Sequence, residues 1–188
     1  MDVSYRPNRL ETVKSSVQKF IIDFFDQNPI SSLGVILTRN GLAESLSELC
    51  GNSKNHINRL KNLQTTAGAA SLQNTLTLSI ALLKHIPQYG HRQVSGSHYI
   101  SFFYFVCLFL LISNPFDLQL LVVFSSLSTC DPGDIFATIR EAQAHRVQVS
   151  VICLVAEVYI CKQLAELTGG TFAVATVMLV FNGRLQCG

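Results

Sequence analysis

The stretch Ser126-Leu127-Ser128-Thr129-Cys130-Asp131 places hydroxyls, a thiol and a carboxylate in six successive positions, and Pro132, Gly133 and Asp134 follow at once. Such a run suggests first a nucleophile. Cys130 would attack as a thiolate with His85, His91 or His145 as its base, which requires hydrogen-bond reach between the two side chains. Nothing in the spacing brings a histidine to Cys130, so the plainer reading is a free loop thiol. The carboxylates have a plain reading too. Asp131 and Asp134 precede a helical pattern, where acidic side chains complement the helix dipole, and Asp131 is the predicted cap of that helix. Gly169-Gly170 is like a phosphate-binding loop only in composition: it follows a helical segment instead of opening one, so it is predicted to end that helix. Neither G-x-G-x-x-G nor a P-loop lysine occurs in the chain, which argues against a nucleotide-binding enzyme.

The six cysteines, Cys50, Cys107, Cys130, Cys153, Cys161 and Cys187, show neither C-x-x-C nor the spacing of a disulfide scaffold. They are predicted to be reduced thiols inside a cell. Cys153 and Cys161 fall in a predicted strand and on a predicted helix face, where buried thiols serve as small core residues. With 188 residues the chain is long enough for one domain with a sizeable core. Its 14 basic and 12 acidic side chains are dispersed, and no basic tract marks a nucleic-acid surface. The opening "MDVSYRPNRLETVK" carries charges where a signal peptide needs an apolar core, so secretion is not expected.

The elements that must position these residues alternate. From Asn8 to Asp26, apolar Leu10, Val13, Val17, Phe20, Ile21 and Phe24 recur at helical spacing. Pro29 then stops the helix. Ser32 to Thr38 is a short continuous apolar run, the pattern of a buried strand. "NGLAESLSELCGN" joins a turn signal to a weaker, edge-like element. A short helix is predicted after a serine cap at Ser53, and a stronger one in "ASLQNTLTLSIALLKHIP", with Leu72, Leu76, Ile80 and Leu83 on one side and Pro87 closing it. Strands at Leu121 to Phe124, Val147 to Leu154 and Thr171 to Val174 then alternate with helices in "DPGDIFATIREAQAHR" and "EVYICKQLAELTGG". The order predicts an α/β fold, a doubly wound, mostly parallel sheet with helices on both faces.

One segment breaks the alternation, Gln93 to Gln119, "QVSGSHYISFFYFVCLFLLISNPFDLQ". Its dense apolar run, Phe102 to Ile112, has 11 residues, against about 20 for a membrane-spanning helix. No Lys or Arg between Arg92 and Arg140 anchors an end. A membrane anchor is the alternative reading, not the expected one. Gln93-Val94-Ser95 can be encoded CAG GTA AGT, a splice donor, and Leu118-Gln119 can end in the acceptor CAG. The Phe, Leu and Ser richness between them suits a translated pyrimidine-rich tract, so Val94 to Gln119 reads as a translated intron. Deleting it is then expected to raise solubility and stability; a segment that filled a gap in the sheet would give the opposite result.

Seven stretches, "RPNRL", "FFDQNPISSLGVILT", "GLAESLSELCGN", "ASLQNTL", "YGHR", "FSSLSTCDPGDI" and "AELTGGTFAVA", in this order and spacing, resemble the von Willebrand factor A-like domain of the Ssl-type core subunit of TFIIH, the subunit that regulates the XPD helicase. The resemblance runs from Arg6 to Ala175 apart from the insert. It implies a partial von Willebrand factor A-like domain over residues 1–175, an apolar insert at 94–119 and a divergent tail at 176–188. Such a domain opens with a central strand that would precede Met1, so the sheet is expected to lack it and to leave two neighbours unpaired. The relatives continue into zinc modules, whereas Cys187 stands alone and no such site is expected.

The resemblance also implies a function: a non-catalytic, nuclear subunit serving transcription by RNA polymerase II and nucleotide excision repair. Its partners would be the XPD-type helicase and other TFIIH core subunits, without sequence-specific nucleic-acid binding or a membrane. Metal-binding adhesion versions of the fold hold Mg²⁺ through serines, a threonine and aspartates. Here the first ligand loop is missing, Ser71 stands roughly at the threonine position, and Ser126-Leu127 replaces the usual Asp-Gly. Neither a metal nor another cofactor is expected. Partners of open α/β sheets meet the loops at the strands' carboxyl ends. That makes Leu127, Ser128, Thr129, Cys130 and Asp131 the expected contact residues for the helicase.

Overall fold

Apolar residues three and four apart give α1 (Arg9–Gln27) one buried side, formed by Val13, Val17, Phe20, Ile21 and Phe24. The helix ends at Gln27, two residues before Pro29, as expected ahead of a proline, which disfavours helix in the residue before it. In this computed structural model, which describes residues 9–27, 29, 31–63, 68–84, 97–103 and 118–174, eleven elements follow one another. His85, His91, Cys107, Cys187, the remainder of the insert and the tail 176–188 lie outside the described residues.

β1 (Ser32–Arg39) is buried along its interior, as a strand covered on both faces must be. Asn40 and Gly41 both have positive φ, 51° and 76°, the backbone that a two-residue hairpin needs and that Asn-Gly supplies. β2 (Leu42–Cys50) therefore returns antiparallel and forms the sheet's edge. α2 (Ser53–Lys61) follows. Its cap is Asn52, not the predicted Ser53, because the Asn52 side chain accepts the Lys54 N–H at 3.1 Å. α3 (Leu72–Lys84) buries Leu72, Leu76, Ile80 and Leu83 as their spacing predicts, together with Thr75 and Ser79.

β3 (Ser97–Phe103), β4 (Leu118–Phe124), α4 (Ile135–Ala144), β5 (Val147–Cys153), α5 (Tyr159–Thr168) and β6 (Phe172–Val174) complete the order. The six strands run β2-β1-β3-β4-β5-β6, all parallel except β2. α1 packs on α2, while α3, α4 and α5 pack in succession. The two groups cover the two faces of a sheet whose strands β1 and β4 are buried except at their ends.

The expected gap at the centre is corrected. β3, drawn from inside the apolar insert, lies between β1 and β4 and pairs with both in parallel. At the far side, α5 ends on Gly169 with φ 74°, and a Cβ on Gly170 would run into the Val149 carbonyl. The glycine pair is thus a helix stop that lets the chain pass close to β5.

Candidate partner-binding site

Parallel strands end on one side of the sheet, so the turn after β1, the segment before α3 and the loop Ser125–Asp134 after β4 converge there. Backbone bonds tie them together. Gly41 N–H donates to the Ala69 carbonyl at 2.7 Å and Cys130 N–H to the Ala70 carbonyl at 2.6 Å. Asn74 Nδ2 donates to the Gly41 carbonyl at 2.6 Å.

The start of α3 is the centre of this arrangement. A helix leaves its first N–H groups without intrahelical acceptors, and three side chains supply them here. Leu72 N–H donates to Thr129 Oγ1 at 3.0 Å, Gln73 N–H to Asp131 Oδ1 at 2.8 Å, and Asn74 N–H to Ser71 Oγ at 3.2 Å. Two of these acceptors come from the loop after β4, roughly sixty positions away along the chain. Asp131 also accepts from Ser71 Oγ at 3.0 Å and Thr129 Oγ1 at 2.9 Å, and Gly133 N–H donates to Gln73 Oε1 at 2.7 Å. Beneath, Thr75 donates to the Ser71 carbonyl at 3.0 Å, which leaves Thr38 as the donor in the buried 2.6 Å Thr38–Thr75 contact.

This geometry corrects the reading of Asp131 as the cap of the helix that follows it. Asp134 caps α4, its Oδ1 accepting the Phe136 N–H at 2.9 Å. Asp131 reaches back to α3. Thr129 is likewise partly buried and committed to the same network. The remaining predicted contact residues face solvent: Leu127 is 68% exposed, and Ser128 and Cys130 are exposed. Ser126 Oγ donates to the Ser128 carbonyl at 2.8 Å and holds the loop's tip in a tight turn. Leu42 after the hairpin turn and Tyr159 at the start of α5 are other exposed apolar side chains near the strands' carboxyl ends.

The other chemical readings resolve on placement. His145 closes the far end of α4 from Cys130, ten residues and roughly 15 Å along the helix. Among the described residues no group of three or more His, Cys, Asp or Glu side chains is placed to hold a metal. Cys153 and Cys161 are buried, and the hydrogen bond with Cys153, reinforced by burial, pushes the Cys161 thiol up.

One buried cluster escaped the sequence. His56 is fully buried on α2, with Nδ1 2.7 Å from Ser47 Oγ, Nε2 3.1 Å from the Cys50 carbonyl and its ring stacked on Phe25. A carbonyl only accepts, so Nε2 carries the proton and Ser47 donates to Nδ1. Desolvation, with a smaller contribution from Arg59, lowers the His56 pKa against the opposing Cys50 bond. The signal lay in the spacing of Ser47, Cys50 and His56 across a strand-helix corner, but nothing local distinguished that histidine from a surface one.

The family model for Ssl1-like proteins matches residues 1–96 and 112–183. The chain belongs to the Ssl1-like family. Its relatives include the general transcription factor IIH subunit 2 of Arabidopsis thaliana, 37% identical over 93% of this chain and 35% of that protein. The subunit of the same name in Dictyostelium discoideum is 38% identical over 96% of this chain and 34% of that protein. The general transcription and DNA repair factor IIH subunit ssl1 of Schizosaccharomyces pombe is 35% identical over 81% and 30%. This Ssl1-like chain therefore spans about a third of the length of the curated relatives it matches. Among solved structures it is similar to the VWA domain of SpRpn10, with TM-score 0.59 and 16% identity over 90% of this chain and 77% of that one. It is also similar to BatB from Bacteroides thetaiotaomicron, with TM-score 0.58 and 13% identity over 93% and 83%. The fold is von Willebrand factor A-like.

Proposed function

We propose that the chain is the von Willebrand factor A-like part of a TFIIH subunit, a non-catalytic interaction module that works in the nucleus. It binds other core subunits of the factor and, through the tip of the Ser125–Asp134 loop, an XPD-type helicase, in transcription by RNA polymerase II and nucleotide excision repair. The observation that carries this reading is the division of labour within the loop. Thr129 and Asp131 are consumed in fixing it to α3, which leaves Leu127 and Ser128 exposed on a braced turn. A rigid tip bearing one large apolar side chain loses little conformational entropy on docking.

The test replaces Leu127 and Ser128 together (L127S with S128A) in the full-length protein and measures helicase binding. Thr129 stays in place because it holds the loop. Binding is expected to weaken by about tenfold, with the thermal melt unchanged. Unaltered binding would move the interface to another surface.

Val94 to Gln119 is, on this reading, an insertion within the family's domain that derives from an unspliced intron. The jump of the family model from residue 96 to residue 112 supports an insertion of the middle part, residues 97–111, while it matches the flanks 94–96 and 112–119; transcript reads across the codons of Gln93 and Leu120 test the intron and its bounds. No observation favours the membrane alternative: among the described residues no helix is long and apolar enough to cross a membrane, and the described part of the insert is strand.

A further inference from the structure

The central strand of the sheet comes from a stretch that the family model passes over. β3 is Ser97–Phe103, and the match stops at residue 96 and resumes at residue 112. Its neighbours both lie in matched parts of the chain. β3 pairs with β1 at seven positions, Ser32↔Ser97 through Thr38↔Phe103, but with β4 at only four, His98↔Gln119 through Ser101↔Val122.

A strand between two parallel neighbours is held first by its backbone, which forms ladders on both edges. β1 and β4 are buried along almost their whole length, so with the slot empty their facing N–H and C=O groups would have no partner inside the core. They would also stand about 9.5 Å apart, twice the ordinary strand spacing. The demand on an occupant is therefore an extended backbone of the right length and direction. The residues that meet it are a mixed set. Interior parallel strands read as nearly continuous apolar runs, as "LQLLVVF" of β4 largely does, whereas "SHYISFF" carries Ser97, His98 and Ser101.

We propose that the slot between β1 and β4 is a strand-acceptor site, filled in cis by Ser97–Phe103 and able to take an extended peptide in trans, parallel to β1, when that segment is removed. The ligand class is a strand-forming peptide of about seven residues, recognised mainly by main-chain hydrogen bonds. The inference stands whether or not the chain serves TFIIH, because it rests on strand pairing alone.

Two measurements test it. In the full chain, Ile100→Pro removes an N–H from the middle of the ladder and should lower the melting temperature by about 6–12 °C, while Ile100→Val should change it little. In a chain lacking Val94 to Asp117, which keeps the whole of β4, the synthetic peptide SHYISFF should raise the melting temperature saturably, and the same peptide with proline at the Ile100 position should not. If the shortened chain is unfolded alone, refolding it with the peptide should recover soluble protein with the peptide bound. A shortened chain that melts at or above the temperature of the full chain and ignores the peptide would overturn the proposal. So would a shortened chain that stays unfolded in its presence, or an Ile100→Pro chain as stable as the original.

Discussion

Asp131 and Asp134 sit three residues apart in one loop, and each satisfies the start of a helix, but not of the same helix. Asp134 binds the N–H of Phe136, two positions on, and caps its own α4. Asp131 turns back across the sheet's edge and binds Gln73 N–H and Ser71 Oγ at the start of α3. The first arrangement is local and forms whenever α4 does. The second exists only once β4 has been laid into the sheet, so it adds tertiary fixation to capping. The contrast shows how a polar loop is tied down from a distance: its anchoring carboxylate accepts from three protein donors.

Asp131→Ala strips the acceptor from two donors at Oδ1 and from the Thr129 hydroxyl at Oδ2. Hydrogen bonds to charged groups contribute about 1.5–3 kcal/mol, so a loss in that range is expected in denaturant unfolding. Asp131→Asn should restore part of it, because one amide oxygen still accepts. Asp134→Ala removes one helix cap and an exposed 3.4 Å pair with Arg140, and its expected cost is about 1 kcal/mol. Equal losses for the two alanine variants would show that the long-range bond adds nothing to the local one.

The same contrast explains how much could be read from the chain. α1, β1, β4 and α3 were legible because burial writes itself into local periodicity: Val13, Val17 and Phe24, or Leu120 to Phe124, bury what their spacing predicts. Asn40-Gly41 and Gly169 were legible because their backbone requirement is met by few residue types. The loop's place at the carboxyl edge followed from the fold. Asp131 was assigned to the wrong helix because a carboxylate before a helix looks the same whether it caps that helix or one sixty residues away. The occupant of the sheet's centre was hidden for a related reason, since pairing on both edges of β3 is a property of its neighbours and not of "SHYISFF".

His56 supplies a case between the two, with partners six and nine positions away, and it makes a pH prediction. Its pKa in the folded chain is lowered from the ordinary 6.5, chiefly by burial. The unfolded chain then binds the proton more readily, so stability is fully present above about pH 6.5 and is lost as pH falls below it, toward the folded-state value. Thermal melts across this window should show a decline that His56→Gln removes, after allowance for that variant's lower plateau. A decline of the same size in the variant would assign it to other groups.

The smallest effect expected lies at the other end of the same two helices. Lys84, the last residue of α3, meets Glu141 of α4 at 2.6 Å, with the two side chains 39% and 44% exposed. Water and salt screen a pair this open, and such pairs are worth about 0–1 kcal/mol. Lys84→Met should fall within that range and lose its effect at high ionic strength. α3 has 13 residues, so the pair stands roughly 20 Å from the Asp131 network. Sites that far apart with no shared partner add within about 0.3–0.5 kcal/mol. A double-mutant cycle of Lys84→Met with Asp131→Ala should therefore close to additivity, whereas Asp131→Ala with Thr129→Val, which share a hydrogen bond and the first turn of α3, should not. Strong coupling in the first cycle would mean that α3 shifts as a rigid rod when its start is loosened, and the loop tip would then owe its position to the whole helix pair and not to its own anchors.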